Sequence, residues 1–128
     1  MLAMKRDLQQ RLFDFAVSVI KTVRLLPRSS EYRVISYQLC KSATSSGANY
    51  EEARAASSRP DFIYKTEIAL REMKESNYWL RIILAVSHDV DSDVVFDSVN
   101  ELALESSELS KILASIIIRA KQKDGAEC

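Results

Sequence analysis

The side chains in this sequence that could do chemistry are few, and their spacing does not assemble a reactive site. There is one histidine, His88, in a polar turn. A di-metal carboxylate centre in a helical bundle needs inward Glu residues and Glu-x-x-His pairs on two helices, and no Glu stands three residues before His88. Serines are plentiful, but a nucleophilic hydroxyl needs a general base beside it, and the lone imidazole leaves none. Cys40 and Cys128 form no CxxC and no metal-ligand spacing. Cys40 falls in an apolar helical pattern, and Cys128 ends a polar tail. The chain has 2 glycines, Gly47 and Gly125, too few for GxGxxG and too far apart for GxxxxGK[ST]. The expectation is a chain with no catalytic residue, no metal ligand and no cofactor: not an enzyme.

What remains is binding chemistry. Asn49, Tyr50, Glu51 and Glu52 form the most unusual local cluster. Acids in the last turns of a helix oppose its dipole, so they call for partners, and Arg54, Arg59 and Lys65 are near in sequence. The cluster is either a salt-bridged helix end or a joint at a subunit boundary or ligand groove. Lys21, Arg24 and Arg28 recur on one face of the first helix, as a solvated face or as a phosphate-binding stripe. With Arg33, Lys41 and Arg54 they are the candidate contacts to RNA or DNA. Charge over the whole chain balances at 18 basic against 18 acidic residues, which argues against strong attraction to a polyanion. The distribution is uneven. Residues 1–60 hold 10 bases and 5 acids, a net +5, and residues 61–128 hold 8 and 13, a net −5. From Asp89 to Glu108 there are seven acids and no base. Such polarity at zero net charge points to contact between unlike faces of copies of the chain.

The elements that must position these residues follow from composition and period. The chain is 47% hydrophobic and 28% charged, ordinary globular values, and 2 Gly with 2 Pro are too few turn residues for an all-β fold. No signal peptide opens it, and its longest apolar stretch, Ile112 to Ile118, is far short of the ~20 residues a bilayer needs. A soluble, cytoplasmic chain with no membrane partner is expected. Leu8, Leu12, Phe15, Val19 and Val23 share one helical face, and Pro27 ends that helix. Ser30 is placed to cap a second, with Ile35, Leu39, Ala43, Ser46 and Tyr50 on one side. Its middle, Ser42 to Ala48, is built of small residues; Gly47 costs a helix about 1 kcal/mol against Ala, which close approach of another helix would offset. Pro60 suits the first position of a third helix, which carries Phe62, Thr66, Ala69, Met73 and Leu80 or Trp79. The fourth shows a heptad seam through Val95, Val99, Leu102, Ser106, Leu109, Leu113, Ile116 and Ala120. The spacing predicts one all-α domain over residues 1–128, with helices at about 5–26, 31–56, 60–87 and 93–122, forming an antiparallel up-down-up-down four-helix bundle. Apolar residues exceed one seam per helix: Tyr78 and Trp79 point about 100° apart, and Ile82 to Leu84 and Ile116 to Ile118 spread over wide arcs. A second apolar face is usually buried against a partner, so a homo-oligomer is expected.

Three runs carry a family resemblance: Ser45-Ser46-Gly47-Ala48-Asn49-Tyr50-Glu51-Glu52-Ala53-Arg54, then Pro60-Asp61-Phe62-Ile63-Tyr64-Lys65, then Ala69 to Leu80 with Asn77-Tyr78-Trp79 inside it. They resemble the bacterial four-helix-bundle proteins encoded in intervening sequences of 23S ribosomal RNA genes. The resemblance covers nearly the whole chain. It implies a bundle assembled into a closed ring of five copies, with no established enzymatic activity. It marks Gly47, Asn49, Tyr50, Glu51, Glu52, Asp61, Phe62, Tyr78 and Trp79 as family-signature or subunit-interface residues. A related accessory protein of diversity-generating retroelements forms a similar ring and, being basic, binds nucleic acid; the neutral charge here departs from it. The resulting expectation is a non-enzymatic ring that associates with RNA or DNA. Its alternative is a ring-shaped adaptor for a protein partner, with no nucleic acid.

Overall fold

Two of the helices, the first and the third, begin where a short polar side chain takes up a free backbone donor. The computed structural model describes residues 7–87 and 93–126, with side chains over 7–87 and 94–123. The Asp7 carboxylate accepts from the Gln10 amide at 2.8 Å, capping α1 (Leu8–Val23). This helix ends three residues before the expected position. The Leu25 and Leu26 amides turn back to Thr22 and Val23, because the residue before Pro27 is pushed away from helical geometry. Leu26 nonetheless folds into the core.

The N-cap of α2 (Ser30–Arg54) is Ser29, one residue earlier than the sequence indicates. Its hydroxyl caps no amide and instead donates to Glu31 Oε1 at 2.8 Å. In α3 (Arg59–Val86), Ser58 Oγ accepts from the Asp61 amide at 3.3 Å. Arg59 therefore holds the first helical position and Pro60 the second, where a missing N–H also costs nothing. The last helix, α4 (Asp93–Ala126), continues beyond the expected end near 122. The turn His88 to Ser92 and Cys128 lie outside the described residues.

Helix directions follow from which residues meet. Gln9 and Leu12 of α1 lie against Glu51 and Gly47 of α2; Ser42 and Ser46 of α2 reach Ser76 and Ala69 of α3; Glu67 and Asn77 of α3 bond Lys121 and Ser106 of α4. Numbers rise on one partner as they fall on the other, so each neighbour runs antiparallel. The helices contact in the cyclic order α1, α2, α3, α4 and back to α1, which is an up-down-up-down bundle.

The core is lined by the faces their periods mark, except that Thr22 is buried in place of the expected Val23 on α1 and Ile63 in place of Phe62 on α3. All five residues read on the inner face of α2 are buried. In α3 it is Leu80, fully buried, that faces inward, while Trp79 is half-buried. The α4 seam holds from Val95 to Leu113 and then shifts: Ile117 is buried, in place of the expected Ile116. A straight helix of 3.6 residues per turn drifts about 20° per heptad against a 3.5 repeat, and after three heptads the next residue has rotated into the core.

Between α2 and α3 the small residues carry a polar layer. Ser42 and Ser76 hydroxyls bond at 2.8 Å, and Ser46 Oγ donates to the Ala69 carbonyl at 2.7 Å, all fully buried. This direct side-chain-to-backbone contact requires the close helix approach that the small-residue run implies.

Candidate functional site

The six cations singled out from the sequence are all exposed, but the fold divides them. Arg24, Arg28 and Arg33 surround the α1–α2 connection at one end of the bundle. They form no ion pair among the described residues. Lys21 lines a groove between α1 and α4 beside Asp14, Glu101 and Glu105, a setting that repels a phosphate. Lys41 lies midway along α2 and faces Glu72 of α3. Burial pushes the Glu72 carboxyl above its ordinary range, Glu75 adds to this, and Arg71 and Lys41 pull the other way. Arg54 is at the opposite end of α2, about 32 Å from Arg33 along the helix axis. Three of the six thus make one cluster.

The signature residues are mostly joints within the chain. Tyr50 is part of the core. Asn49 Nδ2 donates to the Ser45 carbonyl of its own helix at 2.8 Å. Glu51 accepts from Gln9 Nε2 of α1 at 2.8 Å. Glu52 pairs with Lys65 of α3 at 3.0 Å and, chiefly through that hydrogen bond, raises the pKa of the ammonium. Asp61 sits in the first turn of α3, and Phe62 beside it is half-buried. Tyr78 and Trp79 pack edge to face with centroids 5.2 Å apart. The indole N–H of Trp79 donates to Glu75, and the Arg81 guanidinium lies over the Tyr78 ring at 5.7 Å. At Gly47 an added Cβ would stand 3.5 Å from Leu12 Cβ, an ordinary contact.

Three features escaped sequence reasoning. Arg11 of α1 binds Glu105 of α4 through both Nε (3.2 Å) and Nη2 (2.8 Å) and also reaches Glu108 at 3.2 Å. Those bonds, above all that to Glu105, keep the guanidinium pKa raised. The positive first half and the acidic run of the second therefore meet inside the chain, so part of the charge polarity is used within one copy. Asn77 Nδ2 reaches the Ala103 carbonyl, Ser106 Oγ and Ser107 Oγ at 3.2, 2.9 and 3.2 Å, tying α3 to α4. Third, Arg59, Arg119 and Lys123, up to 64 residues apart in sequence, line one cavity of about 560 Å³. Local spacing cannot reveal such pairs; only the antiparallel register brings them together.

Two further grooves are apolar. One, about 280 Å³, lies between α1 and α2 over Phe13, Val17, Ile20 and Ala48, with Glu51 on its rim. The other, about 500 Å³, lies between α3 and α4 over Leu70, Ala114, Ile117 and Ile118, with Glu67, Arg71 and Lys74 on its rim. Phe13 and Ile118 are 57% and 56% exposed. Among the described residues no group of three or more His, Cys, Asp or Glu is placed to hold a metal ion, and no helix is long and apolar enough to cross a membrane.

Comparison with known proteins gives two findings. The family model described as 23S rRNA-intervening sequence protein matches residues 4–115. A crystal structure from Bacteroides thetaiotaomicron, a protein of unknown function from the S23 ribosomal protein family, is similar with a TM-score of 0.74 and 33% identity, over 87% of this chain and 98% of that one. No curated protein matches the chain.

Proposed function

The chain belongs to the 23S rRNA-intervening sequence protein family, and from that premise we propose that it is a non-catalytic, self-associating module whose copies close into a ring that associates with nucleic acid. Five copies is the number the family resemblance implies. The observation that carries this reading is the pair of apolar grooves. Contact order around the bundle puts the α1/α2 and α3/α4 grooves on opposite sides. Their rims differ in charge, Glu51 on one, and on the other Arg71 and Lys74 with Glu67, which is itself paired to Lys121. Two different, complementary patches on opposite sides make a heterologous contact, which yields a ring when the rotation closes.

Nucleic-acid association is supported by Arg24, Arg28 and Arg33, exposed at one end and repeated in every copy. Repetition adds weak sites by avidity on a long RNA. With a net charge of zero, binding is expected to be weak, tolerant of sequence and steeply dependent on salt between about 50 and 200 mM. Light scattering and an RNA titration test the reading. A stable mass near 14.5 kDa at micromolar concentration overturns the ring. A ring that binds no structured RNA at about 50 mM salt leaves the protein-adaptor reading in its place.

A further inference from the structure

We infer that the cavity between the start of α3 and the last turns of α4 is a nucleotide-binding pocket, taking one phosphate-bearing unit of a single-stranded RNA. The inference rests on the nucleic-acid part of the reading above, and it moves the specific contact to the end of the bundle opposite Arg24 and Arg28. The cavity is lined by Arg59, Phe62, Ile116, Arg119, Ala120 and Lys123. Three cations stand around an apolar floor with one aromatic ring. Its volume of about 560 Å³ falls within the range of small-ligand pockets.

The local chemistry favours side chains over backbone as the phosphate donors. A helix N-terminus ordinarily offers free amides to an anion, but at α3 the Asp61 amide is taken by Ser58 Oγ, the Phe62 amide by the Ser58 carbonyl, and Pro60 has none. The anion must be held by Arg119 and Lys123. Of the described acids nearby, Glu67 is already engaged, binding Lys121 at 3.0 Å. Phe62 is packed against the core on one side and lines the cavity on the other, so its ring is a fixed platform for a base. Cations that track the backbone and an aromatic on which a base stacks are the two parts of single-strand recognition.

The test is fluorescence anisotropy of a labelled oligouridine octamer with the full chain, across a salt series. Arg119→Gln with Lys123→Gln should lower affinity and reduce the log–log salt slope by about 0.7, the share of one phosphate contact on a single strand. Phe62→Leu keeps an apolar side chain against the core and removes the ring face. It should weaken binding about 5- to 150-fold at unchanged salt slope. Uridine monophosphate should displace the octamer at lower concentration than inorganic phosphate does. If the Arg119, Lys123 pair binds like wild type while Arg24→Gln with Arg28→Gln loses affinity, the pocket is overturned and the broader reading stands. If wild type binds no octamer at about 50 mM salt, the pocket is overturned, and the broader reading falls with it only if long structured RNA is not bound either. Displacement by an apolar peptide with a free terminal carboxylate at lower concentration than by the nucleotide also overturns the inference.

Discussion

Ser46 shows how one atom can set the distance between two helices. Its hydroxyl donates to the Ala69 carbonyl in a fully buried position, and that carbonyl keeps its place in the α3 ladder when the hydroxyl is removed. Ser46→Ala should therefore cost only about 1 kcal/mol. Ser46→Leu must push α2 from α3 and should cost about 1–3 kcal/mol or more. Urea melts of the two variants check the order; equal midpoints would show that the helices are not in contact there. Gly47, the next residue, behaves in the opposite way. Its Cβ position is in ordinary contact with Leu12 and free of clashes, so the helix-propensity cost of glycine is not required by sterics at this position. Gly47→Ala is expected to raise stability by up to about 1 kcal/mol, read as a higher urea midpoint at unchanged slope.

At the scale of elements, the helices and their inward faces were legible because burial imposes a period on adjacent residues. Leu12, Phe15 and Val19, or Leu39, Ala43, Ser46 and Tyr50, announce a face by spacing alone. The choice of Leu80 over Trp79 was not legible, since neighbours 100° apart fit a wide apolar arc equally well until a second helix is placed against them. The bonds that lock helix to helix were invisible for a related reason. Arg11 with Glu105, and Asn77 with Ser106, are joined by register between distant segments and leave no local mark. The same holds at the candidate site: Lys21, Arg24 and Arg28 are close in sequence, although α1 ends at Val23 and leaves Arg28 in the connection rather than on the expected helical face, whereas Arg59, Arg119 and Lys123 come from two helices. Asn77 gives the element-scale prediction. Asn77→Ala should destabilise the α3/α4 contact by about 1–3 kcal/mol. Asn77→Asp should be worse at pH 7, because a carboxylate would face the Ala103 carbonyl where the amide donates. Thermal melts separate the two, and an Asp variant as stable as wild type at pH 7 would exclude this bonding.

For the whole molecule, a head-to-tail contact makes a prediction that a two-fold contact does not. Phe13→Glu spoils the α1/α2 groove and Ile118→Glu spoils the α3/α4 groove, each at an exposed position that should not disturb folding. Either variant alone should be unable to close a ring. Mixed in equal amounts, they retain one intact groove each, of unlike kind, and should pair as a capped dimer of twice 14.5 kDa. Sedimentation of the mixture checks this. A mixture that stays monomeric, or single variants that keep full rings, would show that these grooves are not the joint.

The serine layer between α2 and α3 also bears on time. Ser46 and Ala69 are 23 residues apart and Ser42 and Ser76 are 34 apart, whereas Arg11 and Glu105 are separated by 94. Loop closure over the shorter spans is entropically cheaper, and contacts of low sequence separation form faster. The α2–α3 hairpin is thus the expected nucleus, assembled before α4 has left the ribosome, while α1 waits for its second neighbour until the chain is nearly complete. Opening should run in reverse. Amide protons of α1 should exchange through a local detachment, and those beside Ser42, Ser46 and Ala69 only when the whole bundle unfolds.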